Sequence, residues 1–185
     1  MTEEYYRYLK NVSWKGRIYR KYLLYPRLNK YCGEQVLDVG CGTGAFLQSR
    51  PGSRGVDINM HCVEHCKLLG LNAELMIEDK LDFSDSFFDT VVLDNVIEHI
   101  QDPMPLLKEC KRVLASKGNI IIGVPLEKGY KRDPDHKVYY SRNSLNLLAE
   151  RSGFVQLKVF EMPFSGLSKR LSSACMYMIA GNSND

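Results

Sequence analysis

VLDVGCGTGAFL, residues 36–47, decides the fold of this 185-residue chain. Apolar and β-branched positions around one acid, Asp38, predict a buried strand. The glycine cluster after it predicts a tight turn, and a helical pattern then begins. Gly40, Gly42 and Gly44 remove Cβ atoms where a ligand must approach the main chain closely. The exposed N–H groups at the start of the following helix suit an electron-rich or anionic group. In open α/β sheets such a strand–turn–helix marks a ligand site, here one for a nucleotide-like molecule.

The spacing narrows the ligand. A dinucleotide fingerprint reads G-x-G-x-x-G with an acid about twenty residues on. Here Gly40-Cys41-Gly42-Thr43-Gly44 brings the third glycine one residue early, and an acid already lies in the strand. The stretch resembles motif I of the class I S-adenosylmethionine-dependent methyltransferases, hydrophobic-L-D-hydrophobic-G-C-G-T-G. The resemblance implies that the turn from Gly40 through Cys41, Gly42 and Thr43 to Gly44 cradles the aminoacyl part of S-adenosyl-L-methionine. It also implies that Asp38 sits beneath the methionine amino group or the turn, with S-adenosylhomocysteine as product.

Composition sets the outer bounds. The length suits one domain, residues 1–185, with a substantial core. Hydrophobic residues make up 44% and charged residues 25%, ordinary for a soluble globular protein. A net charge of +3 is too slight to imply nucleic acid. The opening MTEEYYRYLK has early acids and no apolar run, so it is not a signal peptide. No segment reaches the roughly 18 apolar residues of a membrane span. Six scattered cysteines read as reduced, which points to the cytoplasm. Oligomeric state is not legible.

Residues 1–31 are rich in Tyr, Arg and Lys, with Trp14 among them. Tyr5, Tyr8 and Leu9 fall at helical spacing, as do Tyr19, Tyr22 and Leu23. One reading is amphipathic helices packed on the sheet edge. The other is a lid over the site, with Trp14 and Tyr19 in the substrate pocket, because aromatic rings with polar tips bury area and still hydrogen-bond. The sequence leaves both open.

Residues 53–58 form the second strand, near whose end stands Asp57. An acid there can accept two hydrogen bonds from a ribose diol, and the position resembles motif II of the same family, with Ile58 beside it at the cofactor. The bland alternative is an N-cap for the next helix. That helix carries His61-Cys62 and His65-Cys66. Each i, i+4 pair shares a helix face, but His61 and Cys62 diverge by about 100°. Four ligands therefore do not converge there, and no metal is assigned.

Residues 73–77 read as the third strand, running into Glu78-Asp79-Lys80-Leu81. By resemblance this corner edges the adenine, with an acid near the exocyclic amine and a backbone N–H on a ring nitrogen. Leu81-Asp82-Phe83 stands where the family writes L-P-F, so Glu78 and Asp79 are both candidates, Asp79 slightly preferred.

Thr90–Leu93 in FFDTVVLDNVIEHI is the buried fourth strand. Asp94, Asn95, Glu98 and His99 follow at its carboxyl end, on the edge where open α/β sheets bind ligands. The resemblance carries Asn95 and Val96 to the cofactor. Asp94-Asn95-Val96-Ile97 lacks the N/D-P-P-Y/F pattern of amine-methylating enzymes, and no Pro-Cys nucleophile is present. His99 is a candidate general base or a pocket-wall residue.

The fifth strand, 119–124, ends at Pro125, and a polar, basic loop passes over the site mouth. His136, followed by Tyr139-Tyr140-Ser141, resembles a pattern of small-molecule methyltransferases. His136 is the second base candidate, and Tyr140 joins the substrate pocket. A helix over 144–152 stopped by Gly153, and strands over 154–161 and 174–180, complete the pattern, with 163–173 bridging the last two. Seven strands match the count of the resembling family's sheet, and by resemblance the last inserts antiparallel between the fifth and sixth, so the expectation is an α/β fold, a Rossmann-like sheet of seven mostly parallel strands with helices on both faces and the last strand antiparallel.

The implied activity is methyl transfer to a small-molecule acceptor by in-line displacement. Two other classes stay open: an S-adenosylmethionine-binding partner protein without catalysis, and a nicotinamide-dependent oxidoreductase, which the early third glycine disfavours.

Overall fold

The computed structural model of the chain describes residues 3–10, 13–163 and 174–182. Its centre is a seven-stranded sheet in the order β3-β2-β1-β4-β5-β7-β6. The strands are β1 (Val36–Val39), β2 (Arg54–Asp57), β3 (Ala73–Leu75), β4 (Phe88–Asp94), β5 (Leu114–Pro125), β6 (Phe154–Met162) and β7 (Cys175–Asn182). β1 to β5 pair in parallel, and β7 runs antiparallel between β5 and β6. This is the expected topology.

The helices are α1 (Glu3–Lys10), α2 (Trp14–Tyr19), α3 (Tyr25–Asn29), α4 (Ala45–Ser49), α5 (Met60–Leu68), α6 (Met104–Val113), α7 (Glu127–Tyr130) and α8 (Arg142–Arg151). A π-helical turn, Arg20–Leu24, joins α2 to α3. No helix among the described residues is long and apolar enough to cross a membrane.

Two apolar layers flank the sheet, and strand periodicity sorts residues between them. Val91 and Leu93 of β4, with Ile120 and Ile122 of β5, meet α6 and α8 on one face through Leu107, Val113 and Leu145. Val92 and Ile121, one position out of phase, join Leu24, Tyr25, Leu28 and Phe46 on the other face. A strand buried on both faces has no polar side, which is why Thr90–Leu93 in β4 reads as a run of β-branched and apolar residues.

Several boundaries move. β3 stops at Leu75, and Ile77 then makes only an isolated bridge to Lys80. Glu78 turns the chain with a φ of 50°. β5 starts at Leu114, five residues before the expected Asn119, with a register irregularity opposite Phe88 and Thr90. α8 begins at Arg142 because Ser141 and Ser144 form a reciprocal capping box. The N-terminal segment divides: α3 and its preceding turn cover a sheet face, not an edge, because Val36, Val92 and Ile121 need an apolar cover there. α1 lies against α5. The bridging residues 164–173, and the side chains of Tyr5 and Tyr8, lie outside the described residues.

Candidate active site

The glycine turn is stitched to its neighbouring strand. Gly40 and Cys41 donate backbone N–H groups to the Val56 carbonyl at 2.8 and 3.0 Å. The Gly42 N–H donates to Asp57 Oδ2 at 2.8 Å, and Asp57 Oδ1 accepts from the Asn59 N–H at 2.8 Å. Gly40, Gly42 and Gly44 all have left-handed φ, at 73°, 52° and 75°, which side chains with a Cβ resist. They nevertheless do different jobs. A Cβ on Gly40 would lie 2.6 Å from Val96 Cγ2, and one on Gly44 would lie 2.5 Å from Leu71 Cδ1. A Cβ on Gly42 would meet only Leu9 Cδ1, at 3.5 Å. Packing demands the outer two glycines, while the space at Gly42 is open apart from Leu9.

Three carboxylates converge at the ends of β1, β2 and β4. Asp38 and Asp57 are buried, at 3% and 5% exposure. Burial holds the Asp38 carboxyl well above the usual carboxylate range, and Asp94, Asp57 and Cys66 add to the shift. Burial also raises Asp57, against the two N–H groups it accepts. An acidic floor under a glycine face suits a ligand with positive charge. S-adenosylmethionine has a sulfonium and an ammonium against one carboxylate, and it fits. Ile58, 45% exposed, stands beside this floor. α1 reaches the rim, where the Tyr6 hydroxyl lies 3.3 Å from His65 Nδ1. On the inner side of α5, Cys62 and Cys66 are buried as core.

The corner at residues 78–81 is braced from behind. Arg112 donates to the carbonyls of Leu81 at 2.7 Å and Phe83 at 2.8 Å, and pairs with Asp85 and Glu109. Leu81 is 1% exposed and gives its N–H to Glu109 Oε2 at 3.0 Å, so it supports the corner from within. The Lys80 N–H is bonded to the Ile77 carbonyl at 3.2 Å. Glu78 is exposed and Asp79 half-buried. Burial raises the Asp79 carboxyl, with Glu78 and Asp102 adding.

At the end of β4, Asp94 Oδ1 accepts from the Tyr177 hydroxyl at 2.7 Å and from Asn95 Nδ2 at 2.8 Å. Cys175 Sγ donates to Asn95 Oδ1 at 3.4 Å. Asn95 holds a left-handed φ of 60° and donates its N–H to the Gly123 carbonyl at 3.0 Å. Tyr19 is half-buried against the apolar layer that holds Tyr25 and Tyr177, and Arg20 follows it on the π-helical turn. Trp14, by contrast, stands 62% exposed on α2. Arg20, Cys175 and Tyr177 escaped the sequence reading. The last two sit in a strand that reads as core, where a tyrosine and a cysteine among aliphatic residues were the available signal.

One residue group remains. Glu98 and His99 lie on the 3-10 turn Ile97–His99, and the Lys137 and Val138 N–H groups donate to the Glu98 carbonyl at 2.7 and 3.1 Å. That bond pair draws the β5–α8 loop down and sets His136 opposite Glu98, with Nε2 3.9 Å from Oε1. The His99 and His136 ring centroids are 4.6 Å apart. Glu98 is fully buried, and among the described residues neither carboxylate oxygen has a hydrogen-bond partner. Burial pushes its carboxyl up to about 8, with Asp94 and Asp133 adding. Burial lowers His99, and His136 lowers it further. The structure thus unites the two candidate histidines and adds Glu98. Tyr140, by contrast, is 6% exposed and packs in the larger core layer.

Comparison with known proteins agrees with this geometry. Residues 37–122 match the family model described as a methyltransferase domain. An uncharacterized protein of Methanocaldococcus jannaschii is 28% identical over 145 residues, covering 72% of this chain and 70% of that protein. A ubiquinone biosynthesis O-methyltransferase of Xanthomonas oryzae is 28% identical over 101 residues, covering 49% of this chain. This chain spans only 42% of that enzyme's length. The crystal structure of a SAM-dependent methyltransferase from Aquifex aeolicus superposes with a TM-score of 0.72 at 20% identity, covering 99% of this chain and 100% of that one. With motif I folded as a glycine face over an acidic floor, and the sheet order of that class, the chain has the class I S-adenosylmethionine-dependent methyltransferase fold around a matched methyltransferase domain.

Proposed function

We propose that this chain methylates a hydroxyl group of a small-molecule acceptor. The observation that carries this reading is the Glu98–His99–His136 group beside Asp94, on the same sheet edge as the glycine turn. S-adenosylmethionine supplies an electrophilic methyl group. The chain's residues bind it and orient the acceptor. Gly40 to Gly44 hold the aminoacyl end, with Asp38 below it. Asp57 takes the ribose diol, Ile58 and Asp79 take the adenine side, and Asn95 and Val96 wall the centre.

The acceptor sits over Asp94, between Tyr19, Arg20 and the histidines. Holding nucleophile and methyl about 3 Å apart and in line supplies much of the rate. A hydroxyl arrives protonated, so its proton must leave as the methyl transfers. A carbonyl only accepts, so His136 Nδ1, 2.9 Å from the Tyr130 carbonyl, carries that ring's proton. The lone pair of the neutral ring is then on Nε2, toward Glu98. The relative named for ubiquinone biosynthesis is an O-methyltransferase, which supports a hydroxyl acceptor. Six free cysteines support a reducing, cytoplasmic setting.

The test is transfer of labelled methyl to a panel of catechols, other phenols, sugars and amines. Turnover with hydroxyl acceptors, lost in H136A, is expected. Turnover with amines alone would overturn the hydroxyl assignment.

A further inference from the structure

Glu98, His99 and His136 make a donor set that the protein leaves incomplete. One ligand atom from each lies within 4.8 Å of the other two. Glu98 is fully buried, and among the described residues neither of its oxygens has a hydrogen-bond donor. An ionised carboxylate buried that way is costly unless a cation or proton meets it.

The histidines do not supply that partner in their neutral form. His136 Nδ1 lies 2.9 Å from the Tyr130 carbonyl, and His99 Nδ1 lies 3.3 Å from the Asp135 carbonyl. Both carbonyls can only accept, so both rings carry their proton on Nδ1. Their Nε2 atoms are then lone-pair donors. An outward Nδ1–H on a backbone carbonyl is also the arrangement that fixes a metal-ligating histidine in its tautomer and orientation. The loop is held for this, since the Lys137 and Val138 N–H groups clamp it to the Glu98 carbonyl.

We propose that Glu98, His99 and His136 bind a divalent cation of the zinc or manganese type at the acceptor end of the site. Two imidazoles and one carboxylate suit zinc or a first-row transition ion, whereas magnesium and calcium prefer all-oxygen sets. Around an ion with bonds of about 2.1 Å, tetrahedral ligands stand about 3.4 Å apart, so side-chain rotations of about 1 Å close this set. Three protein ligands leave a coordination position open, as in catalytic sites. On the hydroxyl-acceptor reading given above, on which this role rests, the acceptor oxygen takes that position. Its O–H acidity rises, and the proton leaves to solvent without a ring nitrogen as base.

The test titrates the metal-stripped chain with Zn²⁺, Mn²⁺ and Mg²⁺ by calorimetry, with no acceptor present. One equivalent of Zn²⁺ or Mn²⁺ is expected, with no saturable Mg²⁺ signal at the same concentrations. E98Q and H136A should each weaken binding by at least about tenfold, while S-adenosylhomocysteine still binds both and reports that they fold. If E98Q does not fold, H99A replaces it. Substituted Co²⁺ should show no thiolate charge-transfer absorption, which separates this site from Cys62 and Cys66 on α5. Absence of stoichiometric binding, a thiolate band, or binding that the variants leave intact overturns the proposal. Normal metal binding without methyl transfer to any hydroxyl would overturn the acceptor reading and leave the metal site standing.

Discussion

Asp57 holds the glycine turn with the carboxylate expected to take the ribose: its Oδ2 accepts the Gly42 N–H at 2.8 Å, and its Oδ1 accepts the Asn59 N–H at 2.8 Å. One side chain therefore shapes the cradle and offers its remaining lone pairs to a ligand. On the ribose assignment proposed above, turn geometry and ligand affinity are coupled through it.

Asp57→Ala removes both roles and should weaken S-adenosylhomocysteine binding at least about tenfold, with a stability cost of about 1–3 kcal/mol for the orphaned N–H groups. Calorimetry and urea unfolding on the same variant give the two values. Unchanged affinity would sink the ribose assignment.

The glycines should separate folding from binding. Gly42→Ala puts its Cβ into the ligand face at a φ of 52°, near only Leu9. It should cost about 1 kcal/mol of stability and abolish measurable cofactor binding. Gly40→Ala meets Val96 at 2.6 Å and should lower the melting temperature more than Gly42→Ala does. Equal melting temperatures for the two would contradict this division.

The acidic floor predicts a pH dependence. Burial raises Asp38 and Asp57 in the fold above their unfolded values. Between the unfolded and folded values the native state binds more protons, so stability falls as pH rises from about 4 through the folded values. A bound ammonium and sulfonium favour the ionised forms. S-adenosylmethionine should therefore bind with proton release and flatten the decline. Thermal melts against pH, with and without the cofactor, check the slope. An apo protein that gains stability across this window would refute the reading.

Arg112 should matter to the adenine side without touching it. It ties the Leu81 and Phe83 carbonyls to Asp85 and Glu109. Lysine cannot reproduce that fork. Arg112→Lys should cost about 2 kcal/mol in urea unfolding and weaken adenosine binding relative to methionine binding. Parallel calorimetry with the two fragments tests it, and equal losses for both would place the effect elsewhere.

The chain's apolar runs and turn residues marked seven strands and the glycine cradle, and the resemblance of motif I supplied how the strands are arranged. The strands and the cradle depend on local period and backbone freedom, which the residues Val36 to Leu47 display without their neighbours. The acids Asp38 and Asp57 were legible for the same reason, since strand ends fix where their side chains go. What only the tertiary structure decided lies across long sequence separations. Tyr177 reaches Asp94 because β7 inserts against β5 and Gly123 has no Cβ to block the ring. Glu98 meets His136 because the loop after β5 folds back onto the 3-10 turn. Gly42 differs from Gly40 and Gly44 only through what packs near each. Periodicity reports which side of an element a residue occupies, but a contact between distant elements exists only once the chain has closed on itself.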